Sequence, residues 1–207
     1  MPYHVGLTVS FGAGLSYWKT GLFTEKNQEL QISPGGGIGL GLMLNAPLQG
    51  NWLLGNEFNY QFTSFTPQAE NVEGHFTHLN YLISLKHAFQ FKEDPLAIVV
   101  GAGLDLSING KYDFDARKLP DGAHNLYNYK TSLGPSVHVE YLAWFDRNSL
   151  GGLIGLRYTY MKYHLDQLSS NGQDVALTEE IKSSLPSKLL TPDGSGIDLY
   201  VSLMYSF

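Results

Sequence analysis

The sequence predicts an all-β protein, an eight-stranded antiparallel up-and-down transmembrane β-barrel, and three observations predict it. Apolar and polar residues alternate with a period of two along eight stretches. The links between those stretches are alternately long and short. No run approaches the roughly 18 to 20 apolar residues that a membrane helix needs, so any crossing must be made by strands.

The first stretch sets Val5, Leu7, Val9, Phe11, Ala13, Leu15 and Tyr17 against Gly6, Thr8, Ser10, Gly12, Gly14 and Ser16. The second has Ile38, Leu40, Leu42 and Leu44 facing away from Gly39, Gly41, Met43 and Asn45. In the third, Trp52, Leu54, Phe58, Tyr60 and Phe62 oppose Gly55, Glu57, Asn59, Gln61 and Thr63, with Asn56 as a polar exception. The fourth places Leu79, Tyr81, Ile83, Leu85, Phe89 and Phe91 opposite His78, Asn80, Ser84, Lys86 and Gln90, interrupted by His87. The fifth sets Ile98, Val100, Ala102, Leu104, Leu106 and Ile108 against Val99, Gly101, Gly103, Asp105, Ser107 and Asn109. The sixth and seventh run from about Tyr129 to Phe145 and from Leu150 to Tyr163. The last alternates without a miss from Ile197 to Phe207, with Asp198, Tyr200, Ser202, Met204 and Ser206 on its polar face.

Short turns are expected at Gln49-Gly50-Asn51, Lys92-Glu93-Asp94-Pro95 and Asp146-Arg147-Asn148-Ser149. Long links cover Thr20 to Ser33, Thr66 to Gly74, Gly110 to Asn128 and Leu168 to Gly196. In a barrel with both termini on one side, this order puts short turns at the periplasmic rim and long loops outside.

Composition narrows the function. The 207 residues suit a single domain over 1–207, and 23 glycines with 13% aromatics suit β-structure with many turns. A net charge of -6 gives nucleic acid no electrostatic reason to bind. The absence of cysteine removes disulfides, thiol chemistry and cysteine-based zinc sites. No basic, apolar and small-residue leader opens the chain, so if the protein is exported Met1 is either an added residue or stands in place of a removed signal peptide.

The two faces separate a membrane barrel from a soluble one. The polar face is rich in Gly, Ser, Thr and Asn, which suit a cramped eight-stranded interior, and the bulky aliphatic face is then left for lipid. About ten residues rising about 3.3 Å each with a tilt of roughly 45° cover about 23 to 25 Å, the height of an outer-membrane apolar band. Aromatic girdles are expected at the lower rim, from Trp52, Phe89, Phe91, Trp144, Phe145, Tyr205 and Phe207. An upper girdle is expected from Tyr17, Phe62, Tyr158 and Tyr160.

The terminal run Tyr200-Val201-Ser202-Leu203-Met204-Tyr205-Ser206-Phe207 resembles the β-signal of the small eight-stranded outer-membrane barrels, the OmpA-like, OmpX-like and PorT-like group. Tyr205 and Phe207 fit that pattern, Ser202 stands where Gly is usual, and Tyr200 and Leu203 are counted within the same signal. The resemblance implies a bacterial outer membrane with periplasmic termini, a lipid and lipopolysaccharide surround, and recognition by the assembly machinery. It leaves the role open, because such barrels do many things.

Buried chemistry is expected inside. Glu57 and Lys86 fall at similar depth on neighbouring stretches, Glu140 and Arg157 do the same, and Asp105 lies between the pairs. Such charges predict a lumen closed by ion pairs, with a narrow ion path or gate as the alternative. Ser136, His138 and Glu140 share one face, as an acyl-transfer set would, but deep in the lower barrel, where packing explains them better. His75, His78 and His164 lie near the upper rim without a ligand spacing, so no metal and no cofactor is expected. The glycines from Gly35 to Gly41 lack the Lys and Ser or Thr of a phosphate loop and open a strand instead of a helix.

The last long link predicts a helix capped by Asp174 and stopped by Pro186. Its Val175, Leu177, Ile181 and Leu185 would cover the mouth or form a loop surface for a protein partner. A non-enzymatic structural or interaction role through the loops is therefore expected, with a small pore or a lipid-modifying enzyme as alternatives.

Overall fold

The computed structural model describes residues 3–24, 26–91, 96–120, 122–145 and 149–207. Eight long strands carry the barrel: β1 (His4–Gly14), β4 (Gly37–Pro47), β5 (Trp52–Ser64), β6 (Glu73–Gln90), β7 (Leu96–Asp115), β9 (Ser132–Trp144), β10 (Leu150–Thr159) and β13 (Gly196–Ser206). Each pairs antiparallel with its neighbours, and β1 pairs with both β4 and β13, which closes the sheet on itself. The β1–β13 ladder runs without a break from His4 opposite Ser206 to Gly14 opposite Gly196.

The period-two pattern decides which side each residue occupies. In β1 and β13 buried and exposed positions alternate almost perfectly, with Leu7 and Leu203 outside and Thr8 and Ser202 inside. Leu40, Leu42, Phe58, Leu104, Val137, Leu156 and Val201 continue an apolar belt around the outer wall. No helix among the described residues is long and apolar enough to cross a membrane.

The turn around Gln49-Gly50-Asn51 closes with the Leu48 amide donating to the Trp52 carbonyl at 2.8 Å, and Gly50 takes a left-handed φ of 70°. The expected turns at Lys92-Glu93-Asp94-Pro95 and Asp146-Arg147-Asn148 lie outside the described residues.

The long links are not structureless. β6 and β7 run beyond the barrel, and β8 (His124–Tyr129), β11 (Leu165–Ser170) and β12 (Gln173–Val175) add to their upper ends in the order β6-β7-β8-β11-β12. A separate hairpin, β2 (Trp18–Phe23) and β3 (Glu29–Ile32), is fastened by reciprocal backbone bonds between Gln31 and Thr66. Two short helices, α1 (Glu179–Ser184) and α2 (Ser187–Leu190), follow β12.

These pieces form a head over the open mouth with its own apolar core. Leu30, Ile32, Phe65, Phe76, Tyr112, Tyr129, Met161, Tyr163 and Leu189 meet there, fully buried. Sequence patterning did not separate this layer from the barrel. The expected sixth strand, Tyr129 to Phe145, divides in the structure: Tyr129 ends β8 in the head, and the barrel strand begins at Ser132.

Two further expectations are corrected. Asn109 was expected inside but is exposed, because β7 bulges between Ile108 and Lys111 with Asn109 at φ 54°. The extra residue switches which positions face inward, so Gly110 and Tyr112 point into the head core and Asp113 points out. Trp144 does not join the lower girdle. It turns into the lumen, edge-on to His4 at 4.9 Å between ring centres, and packs against Met43, Leu142, Leu153 and Met204.

Candidate functional site

From the rim that holds the chain termini to the top of the head, side chains fall into four zones. Nearest the termini, Met43, Ala97, Leu142, Leu153 and Met204 form an apolar stopper with Trp144. The charged side chains come next, all almost fully buried. The third zone is a small polar chamber under the head, and the fourth is the head core itself.

The charge pairing differs from the neighbour pairing that the sequence suggested. Lys86 on β6 donates to Glu140 on β9 at 2.7 Å, two strands away around the wall. The Tyr200 hydroxyl donates to the same Glu140 oxygen at 2.8 Å. Arg157 on β10 lies 2.9 Å from Glu57 on β5 across the lumen, an ion pair whose angle falls short of a hydrogen bond. Its Nε and Nη2 both donate to Asp198 Oδ2 at 3.3 Å, and its guanidinium carbon stands 5.3 Å from the Tyr200 ring centre. Asp198 stands directly opposite Arg157 in the β10–β13 ladder, so its membership was available from alternation and register together.

Asp105 faces Arg157, Glu57 and Asp198 electrostatically but forms no ion pair of its own among the described residues. Small residues make room for these side chains. A Cβ on Gly55 would come within 2.5 Å of Lys86 Cε, and one on Gly155 within 2.5 Å of the Tyr200 ring. These two inward glycines therefore leave space for the charged network.

Ser136, His138 and Glu140 all point inward, yet they do not form a catalytic relay. The Ser136 hydroxyl takes its bond from Thr159 at 3.4 Å, neither His138 ring nitrogen makes a hydrogen bond, and Glu140 is engaged by Lys86 and Tyr200. The nucleophile-to-base bond that acyl transfer needs is not made.

The upper histidines do not converge either. His78 faces the lumen and its Nε2 lies 3.2 Å from the Gln61 side-chain oxygen. His75 lies outside, stacked on Phe62 and 3.9 Å from Asp113, while His164 is exposed. Among the described residues no group of three or more histidine and acidic side chains could hold a metal ion.

In the terminal strand, Tyr200 and Ser202 point into the lumen, and Leu203, Tyr205 and Phe207 point outward. Tyr205 and Phe207 stack with ring centres 6.5 Å apart. The inward and outward halves of the expected assembly signal thus lie on opposite sides of the wall.

On the head, the expected helix is shorter and capped later. Asp174 lies in β12, and the Thr178 hydroxyl caps α1 by accepting from the Ile181 amide at 3.3 Å. Val175, Leu177 and Leu185 pack against the head core, and Ile181 is half-buried in α1. A more open surface lies beside the β2–β3 hairpin. A groove of about 530 Å³ runs between the β2–β3 hairpin and the 67–72 segment, with Leu22, Leu30, Pro67 and Val72 in its walls and Lys26 and Glu70 among its polar residues. Phe23 at the hairpin tip is well exposed. Elsewhere on the head, the Arg117 side chain clamps Asp115 and holds its carboxyl well below the usual carboxylate range.

No family model and no curated protein matches the chain. Among solved structures, neisserial surface protein A (NspA) is similar, with a TM-score of 0.55 at 12% identity over 99% of this chain and 97% of that one. Ail, the attachment invasion locus protein of Yersinia pestis, also aligns, with a TM-score of 0.41 at 13% identity over 100% and 97% of the two chains. The likeness to the neisserial protein shows the fold: a closed eight-stranded antiparallel barrel.

Proposed function

We propose that this protein is an integral barrel of a bacterial outer membrane, non-enzymatic, and that it acts by presenting its head to a partner outside the cell. The observation that carries this reading is the division of the molecule. The lumen holds an apolar stopper and buried ion pairs, while the head has its own core and an open groove beside the β2–β3 hairpin. A rigid scaffold with a mixed apolar and charged groove on its loops suits recognition better than conduction or turnover.

The apolar belt supports residence in a membrane, with phospholipid and lipopolysaccharide as neighbours. A soluble protein exposing so much contiguous apolar surface would associate. The terminal rim is assigned to the periplasm and the head to the outside, because short turns and long loops divide that way in barrels of this kind. The alternation from Tyr200 to Phe207 is read as the segment by which the assembly machinery selects the chain.

Site-directed labelling tests the orientation, since the chain has no native cysteine. In intact Gram-negative cells a membrane-impermeant maleimide should label Gln68→Cys in the groove, and label Asn51→Cys in the short turn only after the outer membrane is opened. The reverse pattern would sink the orientation and the head's proposed role. Sustained conductance of the purified protein in planar bilayers would favour the pore reading instead.

A further inference from the structure

The buried charges of the lumen do not balance. Among the described residues four buried carboxylates, Glu57, Asp105, Glu140 and Asp198, face two buried cations, Lys86 and Arg157. Lys86 and Glu140 match one for one, which leaves Arg157 alone among Glu57, Asp198 and Asp105. The buried histidines do not fill the gap. His78 meets the amide of Gln61, His138 lies 3.8 Å from a Glu140 already held by Lys86, and His4 sits beside Trp144 at the opposite end.

The surplus negative charge faces a small chamber under the head. Asp105, Asp198, Asn80, His78, Gln61 and Thr159 line it, with Tyr163 among its remaining walls. Its volume is about 20 Å³, room for one water-sized occupant. Asp105 is 2% exposed. Among the described residues its Oδ1, the Asn80 Oδ1 and the His78 Nδ1 are buried without a hydrogen-bond partner, while Asp198 has the Gln61 side chain beside it. Several orphaned polar atoms around one cavity are costly unless something there satisfies them.

We propose that this chamber binds one monovalent metal cation of sodium's class, held chiefly by oxygens of Asp105, Asp198 and Asn80. Carboxylate and amide oxygens are hard donors that suit such an ion, and among the described residues no group of three or more histidine and acidic side chains could hold a metal ion, so the site rests on two carboxylates and an amide oxygen. Calcium takes about six to eight oxygens and magnesium keeps several waters, which a one-occupant chamber does not supply. A neutral water could donate to two of the oxygens but would leave the charge imbalance as it is. The site is independent of the loop-surface reading, since it lies inside the wall.

The test uses the folded protein in detergent micelles at constant ionic strength, in sodium chloride and in N-methylglucamine chloride. Sodium should raise the thermal midpoint by about 2–4 °C, and Asp105→Asn should remove that increment while keeping the β-sheet spectrum. Crystals grown with thallium(I) should show an anomalous peak between Asp105 and Asp198, a readout that does not depend on any variant folding. Equal midpoints in the two salts, an increment that survives in Asp105→Asn, or thallium found elsewhere would overturn the proposal. So would a rise produced by acidification alone, which would assign a proton to Asp105.

Discussion

Arg157 carries more of the lumen than any other side chain. One guanidinium serves Glu57 and Asp198 directly and Asp105 at longer range, and it faces the Tyr200 ring. Breaking a buried ion pair by removing one partner costs about 3–5 kcal/mol, because the partner is left charged and dry. Arg157→Met should therefore lose at least that much in urea unfolding from lipid vesicles. Lys86→Met should lose less, since Glu140 keeps its bond from Tyr200. Equal losses would mean that Arg157 is not the hub. The inward positions of Glu57, Lys86, Asp105, Glu140 and Arg157 were legible from alternation alone. Their partners were not, because counting residues along strands gives depth, whereas strand tilt and the reach of long side chains across a narrow lumen decide who meets whom. Asp198 shows the limit most clearly: its face was read correctly, but only the β10–β13 register sets it beside Arg157.

Among the elements, the barrel strands were legible and the head was not. Barrel strands have one lipid face and one lumen face, so the pattern repeats with a period of two over about ten residues. Head strands pack both on each other and on loops, and β8, β11 and β12 are three to six residues long, too short for a period to declare itself. The bulge at Asn109 and Gly110 is where the two regimes join, since it changes the inward set of β7 as the strand leaves the barrel. A test at this scale separates the layers. Phe76 is buried against Tyr129 and Tyr163, with ring centres 5.7 and 5.1 Å away. Phe76→Ala should destabilise by about 3–5 kcal/mol. The loss should fall on the head, so limited proteolysis should cut the 110–130 and 165–190 regions faster while the barrel keeps its heat-dependent gel shift. Loss of the gel shift as well would show that head and barrel fold as one unit.

At the scale of the whole molecule, the outer belt sets the cost of a charge by its height. Leu40 lies near the middle of the wall, 66% exposed, between Val9 on β1 and Tyr60 on β5. Leu48 lies at the terminal rim beyond the end of β4. In vesicles, Leu40→Arg should cost about 2–4 kcal/mol and Leu48→Arg about 0–1 kcal/mol. Similar values at the two positions would contradict the assigned membrane depth.

Closure by β1 and β13 has a consequence for how the molecule is made. The eleven pairs of that ladder join residues about two hundred positions apart, so the earliest barrel strand keeps one edge unmatched until the last strand arrives. A chain missing β13 is an open ribbon with two sticky borders, one along β1 and one along β10, and its lumen charges lose Asp198 and the Tyr200 hydroxyl at the same stroke. The seam thus works as a checkpoint, in which the arrival of β13 seals the wall and brings Asp198 to Arg157 and the Tyr200 hydroxyl to Glu140 in a single step.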